Sequence, residues 1–170
     1  RGGGNRMTTG NAVPALLLAL AVAWPGPAPA QASLSLSLGE GDRQFTPILD
    51  GGRTGFSRFL TVDAVSIEGT DGPAHLVVEL SLPPGARSGD QPHGARIVFR
   101  PDGWRNYLVS LPGPPDGGVV VADLDLSGPR PRIAGSFAVA LCFTPSPVHQ
   151  PDPDRCLSAS GRFDTPLMRD

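Results

Sequence analysis

Trp104-Arg105-Asn106-Tyr107 is the densest run of recognition chemistry in the chain. An exposed aromatic ring can stack on a sugar while Arg, Asn and the nearby Asp102 hydrogen-bond its hydroxyls. The same residue types dominate the energetic centres of protein interfaces. Trp104 and Tyr107 stand three apart, so on a strand they point to opposite faces, and packing against a core is the plainer use of these rings. A second polar run is His149-Gln150-Pro151-Asp152-Pro153-Asp154. Asp152 and Asp154 offer hard oxygen ligands of the kind Ca²⁺ takes, with backbone carbonyls to complete the shell. No EF-hand glycine or bidentate Glu follows them, so a solvated, proline-stiffened loop is the simpler reading. His75, His93 and His149 are far apart in sequence, whereas a transition-metal site needs converging ligands.

Hydrolytic machinery is not legible. There is no G-x-S-x-G elbow, and nothing local marks Ser57, Ser110 or Ser160 as a nucleophile. Asp123 and Asp125 fall on one face of a strand ending at Leu126, with Ala122, Leu124 and Leu126 on the other; an outward charged face explains them. All 14 basic residues are arginine. Without lysine there is no Schiff-base chemistry, no PLP attachment and no P-loop lysine, and no cofactor is expected. The net charge of −2 and the scattered arginines do not suit nucleic acid.

The elements that must position these residues begin after a leader. Residues 15–24 are an apolar run, ALLLALAVAW, too short for a bilayer that needs about 20 residues. Pro25, Gly26 and Pro27 break it, and A-P-A or A-Q-A suits cleavage after Ala30 or Ala32. This is the layout of a secretory signal peptide over residues 1–32, with Met7 as the expected start. The sequence therefore predicts a periplasmic or secreted protein with no membrane insertion after cleavage. Cys142 and Cys156 flank a proline-rich segment, and in an oxidising compartment two such cysteines pair with each other.

Gly and Pro number 22 and 20 of 170 residues, a level that touches disordered composition. Their placement argues otherwise. Strict apolar alternation marks strands at 33–38, 74–82 and 133–143; weaker ones read at 58–67, 95–100, 105–111, 118–126 and 158–164. Turn signals fall between them, and Pro101-Asp102-Gly103 marks a hairpin between neighbouring strands. No helical period follows residue 32. Residues 33–170 are expected to form one antiparallel β-sandwich of about seven to nine short strands, with a small β-barrel as the alternative. The functional expectation is a non-enzymatic binding or structural module whose partner is a protein or glycan of the cell envelope. A carbohydrate-binding module using Trp104 and Tyr107, or a hydrolase assembled from distant strands, are the alternatives.

Overall fold

The computed structural model describes residues 31–103, 106–111, 118–146 and 148–169. Residues 1–30, where the sequence predicts a leader, lie outside the described residues, as do Trp104 and Arg105. The alternating segments form β1 (Ser33–Leu38), β5 (Ala74–Leu82), β6 (Gly94–Arg100), β7 (Tyr107–Ser110), β8 (Val119–Asp125), β9 (Arg132–Thr144) and β10 (Cys156–Pro166). The remaining strands are β2 (Gly41–Pro47), β3 (Gly55–Arg58), β4 (Asp63–Asp71) and β11 (Met168–Arg169). A single 3-10 turn spans Asp50–Gly52, and there is no α-helix among the described residues.

The sheet closes on itself, which corrects the sandwich expectation in favour of the small barrel. Neighbouring strands run β4-β2-β1-β10-β9-β7-β6-β5, and β5 returns to β4 over nine register pairs. A sandwich would leave two sheets with free edges; here the eight-strand ring has none. Alternation looks the same in both architectures, because each buries one side of every strand. What decides between them is a short ladder, Thr46↔Thr70 and Pro47↔Gly69, that joins β2 to β4. The expected strand at 58–67 is likewise two strands. β3 and β4 form a hairpin closed by the Phe59 N–H donating to the Val62 carbonyl. Phe59 and Leu60, which continue the apolar run in sequence, stand exposed at its tip.

Inward residues of all eight strands meet in one core that includes Leu36, Phe45, Ile67, Leu76, Ile97 and Leu141. Each such side chain contributes about 1.5–3 kcal/mol by leaving water. The tightest packing is between β9 and β10. Phe137 lies opposite Gly161 and Phe163 opposite Gly135, so each ring covers the bare backbone of the facing glycine. A Cβ built on Gly135 would meet the Phe163 ring at 2.6 Å; one on Gly161 would meet the Phe137 ring and the Ser35 carbonyl.

β8 hangs on β9 outside the ring, with an irregularity between Val121 and Asp123. Val119 and Val121 face inward before it, Leu124 and Leu126 after it, and Ala122 is exposed rather than sharing the inner face with Leu124. One extra residue resets the phase of the strand. Its free edge is covered by the loop after β5. Gly89 N–H donates to the Val121 carbonyl at 2.9 Å, and Leu124 N–H donates to Ser88 Oγ at 2.8 Å. Buried Asp63 anchors the start of that loop, accepting from Gly85 N–H at 3.1 Å.

Candidate functional site

At one end of the barrel the ends of β1 and β6 and the starts of β2 and β7 leave an apolar mouth of about 290 Å³. Its walls are Leu36, Leu38, Phe99 and Leu108, and Pro101 stands at the edge. Leu36 and Phe99 close the floor as buried core residues; Leu38 and Leu108 are partly buried against them. The register explains why a cation joins them. Arg43 lies directly opposite Leu36, and Phe45, two residues on, is in the core, so Arg43 faces the inner side of β2. Its guanidinium sits 5.8 Å from the centroid of the Phe99 ring and 3.7 Å from Asp71 Oδ2. Both members of that ion pair are nearly half exposed, so it is weak and exchangeable. Sequence reading passed over Arg43 because GDRQFTP has a single large apolar residue and no readable alternation.

The residues singled out by sequence fall elsewhere or are already engaged. Of the Trp104–Tyr107 run, Asn106 and Tyr107 are described. Asn106 adopts φ 61° and its amide donates to Asp102 Oδ2 at 3.2 Å. Tyr107 is buried on the outer wall, where it packs with Val98, Val109 and Val77. Its ring face is therefore not open to a sugar.

Cys142 and Cys156 are bonded, opposite one another in the β9–β10 ladder. The loop they bracket folds on itself. Thr144 Oγ1 donates to the Ser146 carbonyl at 2.7 Å, Asp152 N–H donates to the Phe143 carbonyl at 2.8 Å, and Arg155 lies 4.0 Å from the Phe143 ring centroid. Asp152 Oδ1 accepts from Asp154 N–H at 3.0 Å, an Asx turn. Among the described residues no group of three His, Cys, Asp or Glu is placed to hold a metal. His149 Nδ1 and Ser146 Oγ are 2.8 Å apart, a local loop contact three residues long.

Two other hollows lie outside the mouth. One of about 250 Å³ lies between Val109 and the loop residues Val148, His149 and Pro151. A trough of about 590 Å³ runs over Ser35, Ser37, Ser136 and Ser160 on the outer wall. There Ser35 Oγ already accepts from Arg162 N–H at 3.2 Å. A polar surface open to water gains little from exchanging one set of hydrogen bonds for another. The outer wall also carries Glu68, whose carboxylate is within 3.6 Å of Arg53, His75 and Arg100. Thr54 Oγ1 exchanges hydrogen bonds with both the N–H and the carbonyl of Glu68, so the group clamps the 3-10 segment to β4.

Asp123 and Asp125 have separate structural uses. Asp123 accepts from Ser88 Oγ and faces Arg132 at 3.8 Å. Asp125 Oδ1 accepts from Gly128 N–H at 2.8 Å and Ser127 N–H at 2.9 Å. These backbone donors, Gly128 first, hold its carboxyl below the ordinary carboxylate range. A carboxyl with a depressed folded pKa stabilises the fold above its unfolded pKa, and this contribution disappears as pH falls through the folded value. Urea midpoints should therefore show Asp125→Ala less stable than the parent at neutral pH. The gap should narrow below about pH 4; a gap independent of pH would contradict the assignment.

Among the described residues no helix is long and apolar enough to cross a membrane. No protein-family model, curated protein or solved structure matches this chain.

Proposed function

We propose that the domain is an exported, non-enzymatic binding protein whose ligand enters the barrel mouth between Leu38, Phe99 and Leu108. The observation that carries this reading is an apolar hollow at the end of a closed eight-strand barrel, with one charged side chain on its inner wall. Barrels of this strand number have an interior just wide enough to be filled by side chains or to hold one small ligand. An apolar hollow with few, well-placed polar groups is the usual form of a small-molecule site. The leader-like segment and the disulfide support action outside the cytoplasm, in the periplasm or beyond. Catalysis is not favoured, because among the described residues no nucleophile, base and orienting group converge on the mouth.

The test is a titration of the full chain with Nile red, a neutral apolar dye. Saturable binding at one site is expected. Leu38→Gln and Leu108→Gln should each weaken it roughly tenfold, the worth of one lost apolar wall, whereas Val120→Gln on the outer surface should not change it. Binding insensitive to both mouth substitutions would place the dye elsewhere and end the proposal.

A further inference from the structure

Resting on the mouth as the binding site, we propose that its ligand is an amphipathic carboxylate, with its aliphatic body in the mouth hollow and its head group on Arg43. Three observations point to this class. The walls are mainly aliphatic, from Leu36, Leu38 and Leu108, with Phe99 at the floor. At about 30 Å³ for each water-sized group, 290 Å³ accommodates roughly ten non-hydrogen atoms, the size of a medium-chain fatty acid. The inner wall also carries a cation. Asp42 precedes Arg43 and alternates to the outer side, so Arg43 is the charge of β2 that faces the mouth.

Arg43 is suited to exchange partners. Its carboxylate partner Asp71 is 3.7 Å away, beyond a direct hydrogen bond, and both side chains are open to water. A ligand carboxylate arriving from the mouth can take a planar, two-pronged contact with the guanidinium that Asp71 does not make. Phe99 holds the guanidinium from below by its ring face. An alcohol of equal length would fill the same walls and forgo the charge-assisted contact. The distinction between the two ligands therefore isolates Arg43.

The experiment displaces Nile red from the full chain with octanoate and, separately, with octanol. Octanoate should displace the dye at a concentration about tenfold lower than octanol, a preference that shrinks as salt rises. Arg43→Gln should abolish the preference. Asp71→Asn, which removes the competing carboxylate, should enlarge it. Thermal melts of both variants establish that the fold is kept, as expected for exposed side chains. Equal displacement by octanoate and octanol in the parent would overturn the carboxylate assignment and leave the mouth as an apolar site. A preference that survives Arg43→Gln, or one that falls in Asp71→Asn, would overturn the role of Arg43. If the dye itself fails to bind at the mouth, the underlying function is wrong, and that result is distinguishable from the others.

Discussion

Gly161→Ala is expected to lower the melting temperature by roughly 10 °C, corresponding to about 3 kcal/mol for a domain of this size. The cause is confined to one methyl group. In the β9–β10 ladder Gly161 is paired with Phe137 and in the β1–β10 ladder with Leu36. An added Cβ meets the Phe137 ring on one side and the Ser35 carbonyl oxygen on the other. The ring could rotate only into Leu and Phe side chains that already fill the barrel, and the carbonyl belongs to a ladder hydrogen-bonded on both sides of β1. Overpacking of a core commonly costs about 1–3 kcal/mol, and a clash with backbone puts this site at the upper end. Gly135→Ala should behave alike, because Phe163 and the Val120 carbonyl close on it in the same way. Gly94 supplies the control. It is also a strand glycine, but its nearest neighbour to an added Cβ is Ser81 Cβ at 3.9 Å, ordinary contact. Gly94→Ala should stay within about 0.5 kcal/mol of the parent. Differential scanning calorimetry on the three variants decides the matter. A parent-like melt for Gly161→Ala would mean that the Phe-over-Gly pairs do not fill the barrel as tightly as described.

These pairs show what the residues disclose on their own and what they do not. Leu76, Val78, Leu80 and Leu82 announce β5 by alternation, and its bounds are those the alternation predicts. Strand 133–143 is read to within one residue at either end, because Ile133, Phe137 and Leu141 recur on one side. The pairing of Cys142 with Cys156 also follows from two cysteines around a proline-rich loop. Closure does not follow. Whether β4 pairs with β5 alone or with β2 as well is a matter of long-range partners, and the β2–β4 ladder contains only Thr46, Pro47, Gly69 and Thr70. None of those residues signals a barrel. The candidate site suffered the same blindness. Arg43 reads as a solvated charge in sequence, and only the register opposite Leu36 turns it inward. Tyr107 shows the converse: an aromatic near Arg and Asn resembles a ligand platform, yet β6 and β7 bring Val98 and Val109 against it. In β8 a single extra residue shifts Leu124 and Leu126 to the phase that Val119 and Val121 held, so a uniform alternation misplaces Ala122.

Replacing both Cys142 and Cys156 by alanine should lower stability by about 3 kcal/mol while leaving the folded structure almost unaltered. The two residues face each other at the end of an eleven-pair ladder, so the native strands remain aligned without the bond. The loop beyond them keeps its own restraints: Thr144 Oγ1 on the Ser146 carbonyl, Phe143 and Asp152 backbone bonds, and Arg155 on the Phe143 ring. The stabilisation accordingly resides mainly in the unfolded chain, whose freedom the cross-link reduces by closing a loop with a sequence separation of 14. Against a typical stability of about 5–15 kcal/mol this is a large share. Three measurements follow from that account. The urea midpoint should fall, the m-value should rise because the uncrosslinked denatured chain exposes more surface, and the near-ultraviolet spectrum of the folded state should be kept. Cys142 is fully buried beside Val109 whereas Cys156 is not. In a reduced background Cys142→Ala should therefore cost more than Cys156→Ala, the difference reporting the packing of the sulfur rather than the bond. An unchanged urea midpoint in the double variant would show that the loop is equally restrained in the unfolded chain, which would refute an entropic role for the disulfide.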